Sequence, residues 1–450
     1  MMMTVHPFYT QHPQVSNETS LCLPSAESLA GETIILAYSG GLDTSTILPW
    51  LKEHFPQSKI VATCVNVGMA DELGGLEARA LQFGADAFEM VEAEETFVQA
   101  YIFPCLKAGA KYEQQYLLGT AMARPLIAKA LVDVAHQYKA KAICHGATGK
   151  GNDQVRFELS IKALAPDMTV IAPWRHWHIA SREDAMAYLQ TKNLPIPFAL
   201  DKTYSRDMNL WHLSHEGQEL ETPANAPHYK HLLQWSHTPQ EAPDTPETLT
   251  LTFHQGIPVQ LNGETMAGVS LLKALNSLGA KHGVGILDMI ENRVVGLKSR
   301  GVYETPGGTI LYKALGILEQ LCLDRNTLHH KHMMGTTYAN LVYEGQWFTP
   351  LREAVDAFMN VLVAPLTGEV TLTLYKGNVL PAGVSSPYSL YEESLSSFTT
   401  GNLYHHGDSH GFITLMGLPL KVRALKMQSH LESPLVPQTK VSQEEVMCHV

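Results

Sequence analysis

A chain of 450 residues that is 45% hydrophobic and 17% charged has the balance of an ordinary globular protein, with room for two or three domains. A net charge of −12 argues against a general binder of nucleic acid or anionic membrane, because counterion release needs clustered Lys and Arg that this balance does not supply. The six cysteines, Cys22, Cys64, Cys105, Cys144, Cys322 and Cys448, form no C-x-x-C pair, and no apolar run reaches the length of a membrane span, so a reducing cytoplasm is the expected compartment.

Residues 1–30 contain no Lys or Arg and no apolar h-region, which speaks against a signal or transit peptide and predicts a disordered extension. From Thr33 the pattern alternates. Ile34 to Tyr38 reads as a strand, Asp43 to Phe55 as a helix containing Pro49, Lys59 to Val67 as a β-branched strand, Gly75 to Phe83 as a helix and Ala85 to Val91 as extended. Ala93 to Leu106 and Thr120 to Tyr138 have helical apolar spacing, and Lys141 to His145 is a further short strand. This alternation predicts an α/β domain with a parallel, doubly wound sheet covered on both faces. A helix begins near Ser181 with the capped look of S-R-E-D, and the prolines of NLPIPF mark a boundary. Beyond it, five prolines within 222–247 suggest a surface excursion. Hairpins are expected at Glu247 to Val259 and Glu369 to Leu380, with helices near Ser270 to Gly279, Ile310 to Leu323 and Pro350 to Leu362, giving an α+β second domain. The tail from about Ser396, with the amphipathic LKVRALKMQSHL, is too short for a core of its own. The expected division is therefore 1–30, 31–195, 196–395 and 396–450.

The stretch Thr33 to Ser45, TIILAYSGGLDTS, carries the first chemistry. An apolar strand, a Gly40-Gly41 turn and an immediate helix leave backbone N–H groups facing outward at a helix N-terminus, which is an anion site. The glycines let a phosphate approach the backbone, and Ser39, Thr44 and Ser45 add hydroxyl donors. The loop G-x-x-x-x-G-K-[ST] is absent, which disfavours a γ-phosphate kinase. The S-G-G-x-D-[ST] pattern resembles the N-type ATP pyrophosphatases, which cleave ATP between the α- and β-phosphates.

A second cluster, HGATGKGNDQVRFEL at 145–159, combines three glycines with Thr148, Asn152, Asp153, Arg156 and Glu158. A solvated loop leading into a capped helix would also fit. Arg156 offers a fork for a carboxylate, Asp153 an acceptor for an ammonium, and Thr148 and Asn152 short polar groups, which together suit a zwitterionic amino acid.

Here the likeness becomes more specific. SGGLDTS at 39–45, YLLGTAMARP at 116–125, HGATGKGNDQVRFEL at 145–159, VIAPWR at 170–175 and IENRVVGLKSRGVYETPGGTILY at 290–312 resemble the argininosuccinate synthase family, in the family's order, across roughly residues 33–395. The resemblance implies joining of citrulline to aspartate with ATP, release of AMP and pyrophosphate, and a nucleotide-binding domain of the adenine nucleotide alpha hydrolase type. It also implies a synthetase domain, a C-terminal arm and a homotetramer. Carried over by motif position, ATP would lie against Ala37, Tyr38, Ser39, Gly40, Gly41, Leu42, Asp43, Thr44 and Ser45, the backbone at Val65, and Gly146 and Thr148. Aspartate would be held by Thr148, Asn152 and Asp153, and citrulline by Tyr116, Asn152, Arg156, Ser205, Ser214, Glu291 and Tyr303. Asp43, Asp153 and Arg156 are the residues expected to matter most for catalysis. Mg²⁺ is expected on the ATP oxygens, with no protein ligand assigned.

One position departs from the pattern: Ala121 stands where the family has a serine, which leaves room for a different ureido substrate or a catalytically altered, regulatory relative. The histidine-rich spots His176-Trp177-His178, His329-His330 with His332, and His405-His406 with His410 lack the spacing of H-E-x-x-H and a carboxylate or cysteine set, so they are read as surface histidines.

Overall fold

The computed structural model describes residues 23–68, 73–196, 204–396, 405 and 407–432. Tertiary contacts group the chain into two units, Met1–Leu390 and Tyr391–Val450.

The first unit opens with the predicted alternation. It runs β1 (Thr33–Ala37), α1 (Leu42–His54), β2 (Lys59–Asn66), α2 (Leu76–Gln82), β3 (Ala87–Glu92), α3 (Glu94–Phe97) and, after a π-helical turn over Val98–Ile102, α4 (Phe103–Ala108). Then follow α5 (Gly119–Gln137), β4 (Ala142–Cys144), α6 (Asp153–Leu164), β5 (Thr169–Ile171) and α7 (Arg182–Thr191). The Ser181 hydroxyl and the Asp184 carboxylate form the reciprocal capping box that S-R-E-D predicts for α7.

The five strands are parallel in the order β3-β2-β1-β4-β5. Because side chains alternate along a strand, Ile34 and Leu36 pack under α1, α2 and α7 with Ile47, Leu51, Phe83 and Leu189, whereas Ile35 packs under α5 and α6 with Leu131, Phe157 and Ile161. Both faces are thus apolar, and each fully buried Ile or Leu contributes about 1.5–3 kcal/mol. Chain order reverses between β1 and β4, so the crevice at their carboxyl ends is the topological switch point. The segment expected to be an extension up to residue 30 is already packed before it ends: Leu29 is buried and its carbonyl accepts from the Ser58 hydroxyl at 2.7 Å. The reason is the apolar pair Leu23 and Leu29, which pack on the core and which the polar composition of the segment obscured; its residues 1–22 lie outside the described part.

Two antiparallel sheets follow. β6 (Ser205–Met208) and β7 (Leu213–Glu216) join β11 (Ile286–Asn292) and β12 (Lys298–Glu304) in the order β11-β12-β7-β6. The predicted hairpins appear as β8 (Glu247–His254) with β9 (Ile257–Leu261), and β13 (Gly368–Tyr375) with β14 (Asn378–Ser385), which with β10 (Glu264–Thr265) give the order β10-β9-β8-β13-β14. The proline-rich excursion follows a short 3-10 turn, Gln218–Glu221, and holds the one-turn helix α8 (Tyr229–Leu232). α9 (Gly268–Lys281), α10 (Pro306–Cys322) and α12 (Pro350–Leu362) match their predicted positions.

A nineteen-residue helix, α11 (Arg325–Tyr343), has no counterpart among the predicted elements. Its sequence, RNTLHHKHMMGTTYANLVY, looks polar, yet Asp324 caps it by accepting from the amides of Asn326 and Thr327, and Lys331 is buried against Glu319 of α10 at 2.8 Å. Gly335 permits the close approach to α4, since a Cβ there would lie 2.5 Å from the Ala108 carbonyl oxygen.

The second unit contains α13 (Glu393–Ser396) and α14 (Asp408–Glu432). Along α14 the side chains of Phe412, Ile413, Leu415 and Leu420 are exposed.

Candidate active site

Two glycine-rich segments meet at the switch point. After β1 the chain passes Tyr38 and Ser39 into Gly40, which has φ +72°, and Gly41, the N-cap of α1, which no side chain caps. The amides that open α1 are therefore left to an outside acceptor. Ser39 Oγ lies 3.2 Å from Thr44 Oγ1 and accepts from the Gly41 amide at 3.3 Å, while the Tyr38 hydroxyl lies 3.3 Å from Ser45 Oγ. Arg79 of α2 donates to the Gly40 carbonyl at 3.0 Å and steadies the turn from behind. Asp43 and Leu42 open the helix, and burial raises the Asp43 carboxyl above its ordinary value while the Arg182 charge pulls the other way.

The segment after β4 runs alongside. A Cβ on Gly146 would stand 3.2 Å from both Thr44 Cγ2 and Ile47 Cδ1, so this segment comes close to the start of α1. Val65, near the end of β2, is buried in the cluster that holds Ala93, Phe97 and Leu210, and Thr148 is exposed. Behind the segment, His145 Nε2 lies 3.3 Å from Glu158, which also receives Arg175. Burial works to raise the Glu158 carboxyl, but these two partners prevail and hold it at about 2.

Asn152 and Asp153 start α6, although neither serves as an ordinary cap. Asn152 instead donates through Nδ2 to the Tyr343 hydroxyl at 2.9 Å and accepts from the Val294 amide at 2.8 Å. Asp153 lies between two guanidinium groups, with Arg124 Nε at 3.0 Å from Oδ2 and Arg156 Nη1 at 3.0 Å from Oδ1. Burial alone would raise its pKa; the two arginines outweigh that and lower it. The carboxylate keeps lone-pair capacity for a further donor. Arg156 is buried, with Nε donating to the Tyr343 carbonyl at 2.9 Å.

The antiparallel sheet supplies the opposite wall. Its register places Tyr303 opposite Ser214, and Ser214 opposite Asp207, with Ser214 Oγ donating to the Asp207 carbonyl at 3.3 Å. Glu291 is buried on β11 and accepts from the Tyr303 hydroxyl at 3.3 Å and the Tyr343 hydroxyl at 2.9 Å. Desolvation raises its pKa, against the pull of the Tyr343 hydrogen bond and the Arg156 charge. The Tyr116 ring lies 4.6 Å from that of Tyr303, and its oxygen accepts from the Thr120 amide at 3.1 Å. Ser205, at the start of β6, is exposed and pairs in register with Glu216. Ala121 is fully buried in the same core cluster as Tyr116 and Tyr303.

Several residues of this region escaped the sequence reading. Arg124 bridges Asp153 to Asp207, with its Nη2 2.9 Å from each carboxylate. Thr120 donates to Asp207 at 2.9 Å and lies 3.0 Å from Nε2 of His212, a histidine that burial depresses to about 4. Arg293 grips both oxygens of Glu216 and donates to the Lys150 carbonyl at 3.1 Å. Arg124 sits inside the quoted YLLGTAMARP segment, but nothing in the sequence pairs it with Asp207.

Residues 33–195 match the family model of the arginosuccinate synthase N-terminal HUP domain, and residues 204–423 match that of the arginosuccinate synthase C-terminal domain. The chain belongs to the argininosuccinate synthase family. It is 58% identical over 399 residues to the argininosuccinate synthase of Lachnoclostridium phytofermentans, covering 88% of this chain and 98% of the relative. The corresponding enzyme of Brachyspira hyodysenteriae is 58% identical over 392 residues, covering 87% and 96%, and that of Agathobacter rectalis is 57% identical over 398 residues, covering 88% and 97%. Membership makes the chain a carbon–nitrogen ligase of arginine biosynthesis, with ATP as co-substrate and citrulline and aspartate as the partners joined. No helix among the described residues is long and apolar enough to cross a membrane.

Proposed function

We propose that argininosuccinate synthesis proceeds here through a citrullyl-adenylate assembled at the junction of the two glycine-rich loops. The ureido oxygen of citrulline attacks the α-phosphorus of ATP, forming an O–P bond as the bond to the β-phosphate oxygen breaks and pyrophosphate leaves. The aspartate amine then attacks the activated ureido carbon, loses a proton, and AMP departs with the former ureido oxygen. The close approach of Gly146 to Thr44 and Ile47 supports this reading, because it brings the start of α1, next to the Gly40-Gly41 turn, near the segment that runs on to Thr148. Orientation of the two reactants and backbone stabilisation of phosphate charge would supply most of the acceleration.

In this scheme residues 37–45, Val65, Gly146 and Thr148 cradle ATP, and Thr148, Asn152 and Asp153 hold aspartate. Citrulline is bound at its amino-acid end by its α-ammonium at Glu291 and its carboxylate at Arg156, with Asn152 shared between the two substrates at that end and Tyr116, Ser205, Ser214 and Tyr303 orienting the rest. Among the described residues no group of three His, Cys, Asp or Glu is placed to hold a metal. Mg²⁺ bound on the ATP oxygens would offset phosphate charge. Residues 31–195 act as the nucleotide domain, 196–395 as the synthetase domain and 396–450 as an arm joining four copies in the cytoplasm. Support for the arm is the run of exposed apolar side chains on α14.

Pyrophosphate release measured with ATP, citrulline and aspartate, each omitted in turn, tests the order of events. Release is expected to require ATP and citrulline; release indifferent to citrulline would overturn the adenylate scheme.

A further inference from the structure

Tyr343 is the last residue of α11, is 1% exposed, and occupies the centre of the polar network on the synthetase side of the site. Its hydroxyl has one proton, which it donates to Glu291 Oε2 at 2.9 Å, and the same oxygen accepts from Asn152 Nδ2 at 2.9 Å. Its carbonyl accepts from Arg156 Nε at 2.9 Å, and its ring lies 4.9 Å from the Arg156 guanidinium carbon. The ring also meets Tyr116 edge-on at 6.4 Å and Tyr112, stacked at 3.5 Å with 4° between planes and anchored by its own hydroxyl to the Asn292 carbonyl at 2.6 Å.

The backbone fixes this arrangement. α11 ends in a Schellman-type turn, with the Gln346 amide bonded to the Leu341 carbonyl at 2.8 Å and Gly345 at φ +78°. A Cβ on Gly345 would stand 2.8 Å from Arg156 Cα, so only glycine lets the turn lie flat on α6 and bring the Tyr343 carbonyl to Arg156.

From these contacts we infer that Tyr343 is a positioning residue for citrulline, joining through one phenol and one carbonyl the three side chains, Glu291, Asn152 and Arg156, that grip the amino-acid end of that substrate. The inference rests on the placement of citrulline given above. A long polar helix distant in sequence thereby fixes the spacing between the ammonium-binding carboxylate and the carboxylate-binding guanidinium, which suits an ammonium and a carboxylate borne on one carbon.

Tyr343→Phe removes only the hydroxyl and keeps the ring contacts with Arg156, Tyr112 and Tyr116. In the full-length chain the variant should raise the citrulline KM about ten- to a hundred-fold, the range for a hydrogen bond to a charged group, more than the aspartate KM, with the ATP KM within about twofold. A pH profile separates positioning from general loosening. Glu291 is faced by the hydroxyls of Tyr303 and Tyr343, by the cations Arg156 and Arg293, by the like charge of Glu216, and by Tyr112 and Tyr116. Loss of the Tyr343 donor should move the acidic limb of kcat/KM for citrulline to higher pH. A ring-fluorinated tyrosine at 343, a stronger donor of nearly unchanged shape, should move it to lower pH, an arm that survives if the Phe variant does not fold. Glu291→Gln provides the reference. If it raises the citrulline KM and Tyr343→Phe does not, or if Tyr343→Phe raises all three KM values alike, the positioning role is overturned. If Glu291→Gln leaves the citrulline KM unchanged, the placement of citrulline fails and the inference with it.

Discussion

The carboxylate of Asp153 lies between Arg124 and Arg156, its two oxygens divided between them, and Arg124 extends the chain to Asp207 on the neighbouring sheet. The pair of arginines, one from α5 and one from α6, fixes the orientation of an acid that belongs to neither sheet. Replacing Arg124 with Met should cost about 1–3 kcal/mol of stability, since two partly buried carboxylates lose a charged donor. It should also raise the aspartate KM more than the ATP KM. Thermal unfolding and steady-state kinetics check both; an aspartate KM that does not move would separate Asp153 from aspartate binding.

Gly40 has a left-handed φ of +72°, and a Cβ there would come within 2.2 Å of Leu76 Cδ2. Alanine would face about 1–2 kcal/mol of backbone strain and would displace the Leu76 side chain. With the loop shifted, the ATP KM should rise by about tenfold or more, while the citrulline KM stays within about threefold. Equal rises would mean that the turn does not face the nucleotide.

His212 is 1% exposed, and burial lowers its pKa from 6.5 to about 4. Between those values the unfolded chain binds a proton that the folded chain refuses, so stability falls as pH drops from 6.5 towards 4, by at most about 1.4 kcal/mol for each pH step. His212→Gln should flatten this part of the curve of urea midpoint against pH. An unaltered slope would place the acid sensitivity elsewhere.

On α14, Leu415 and Leu420 are 70% and 71% exposed. If the arm assembles four copies, Leu415→Lys together with Leu420→Lys should lower the mass measured by light scattering from tetramer to smaller species, because burying two ammonium groups is costly. An unchanged mass would remove the helix from the assembly surface.

Local signals determined much of this protein. A β-branched run, two adjacent glycines and a hydroxyl-rich helix start mark the glycine turn proposed for phosphate within thirteen residues, and alternating strand and helix patterns give the parallel sheet, because these features depend on neighbours in the chain. The motif segments also delivered Asn152, Asp153, Arg156, Glu291 and Tyr303 as site candidates. Only the tertiary structure decided how they are held. The bonds that Tyr343 makes to Asn152 and Arg156 span 191 and 187 positions, and the Arg124 contact with Asp207 spans 83. Tyr343 stands on a helix whose histidines, threonines and buried Lys331 hide its periodicity, and whose packing depends on Gly335 and on Glu319 from another helix. A charge or hydroxyl has no partner in sequence alone; packing of the sheets and helices brings its partner within hydrogen-bond distance.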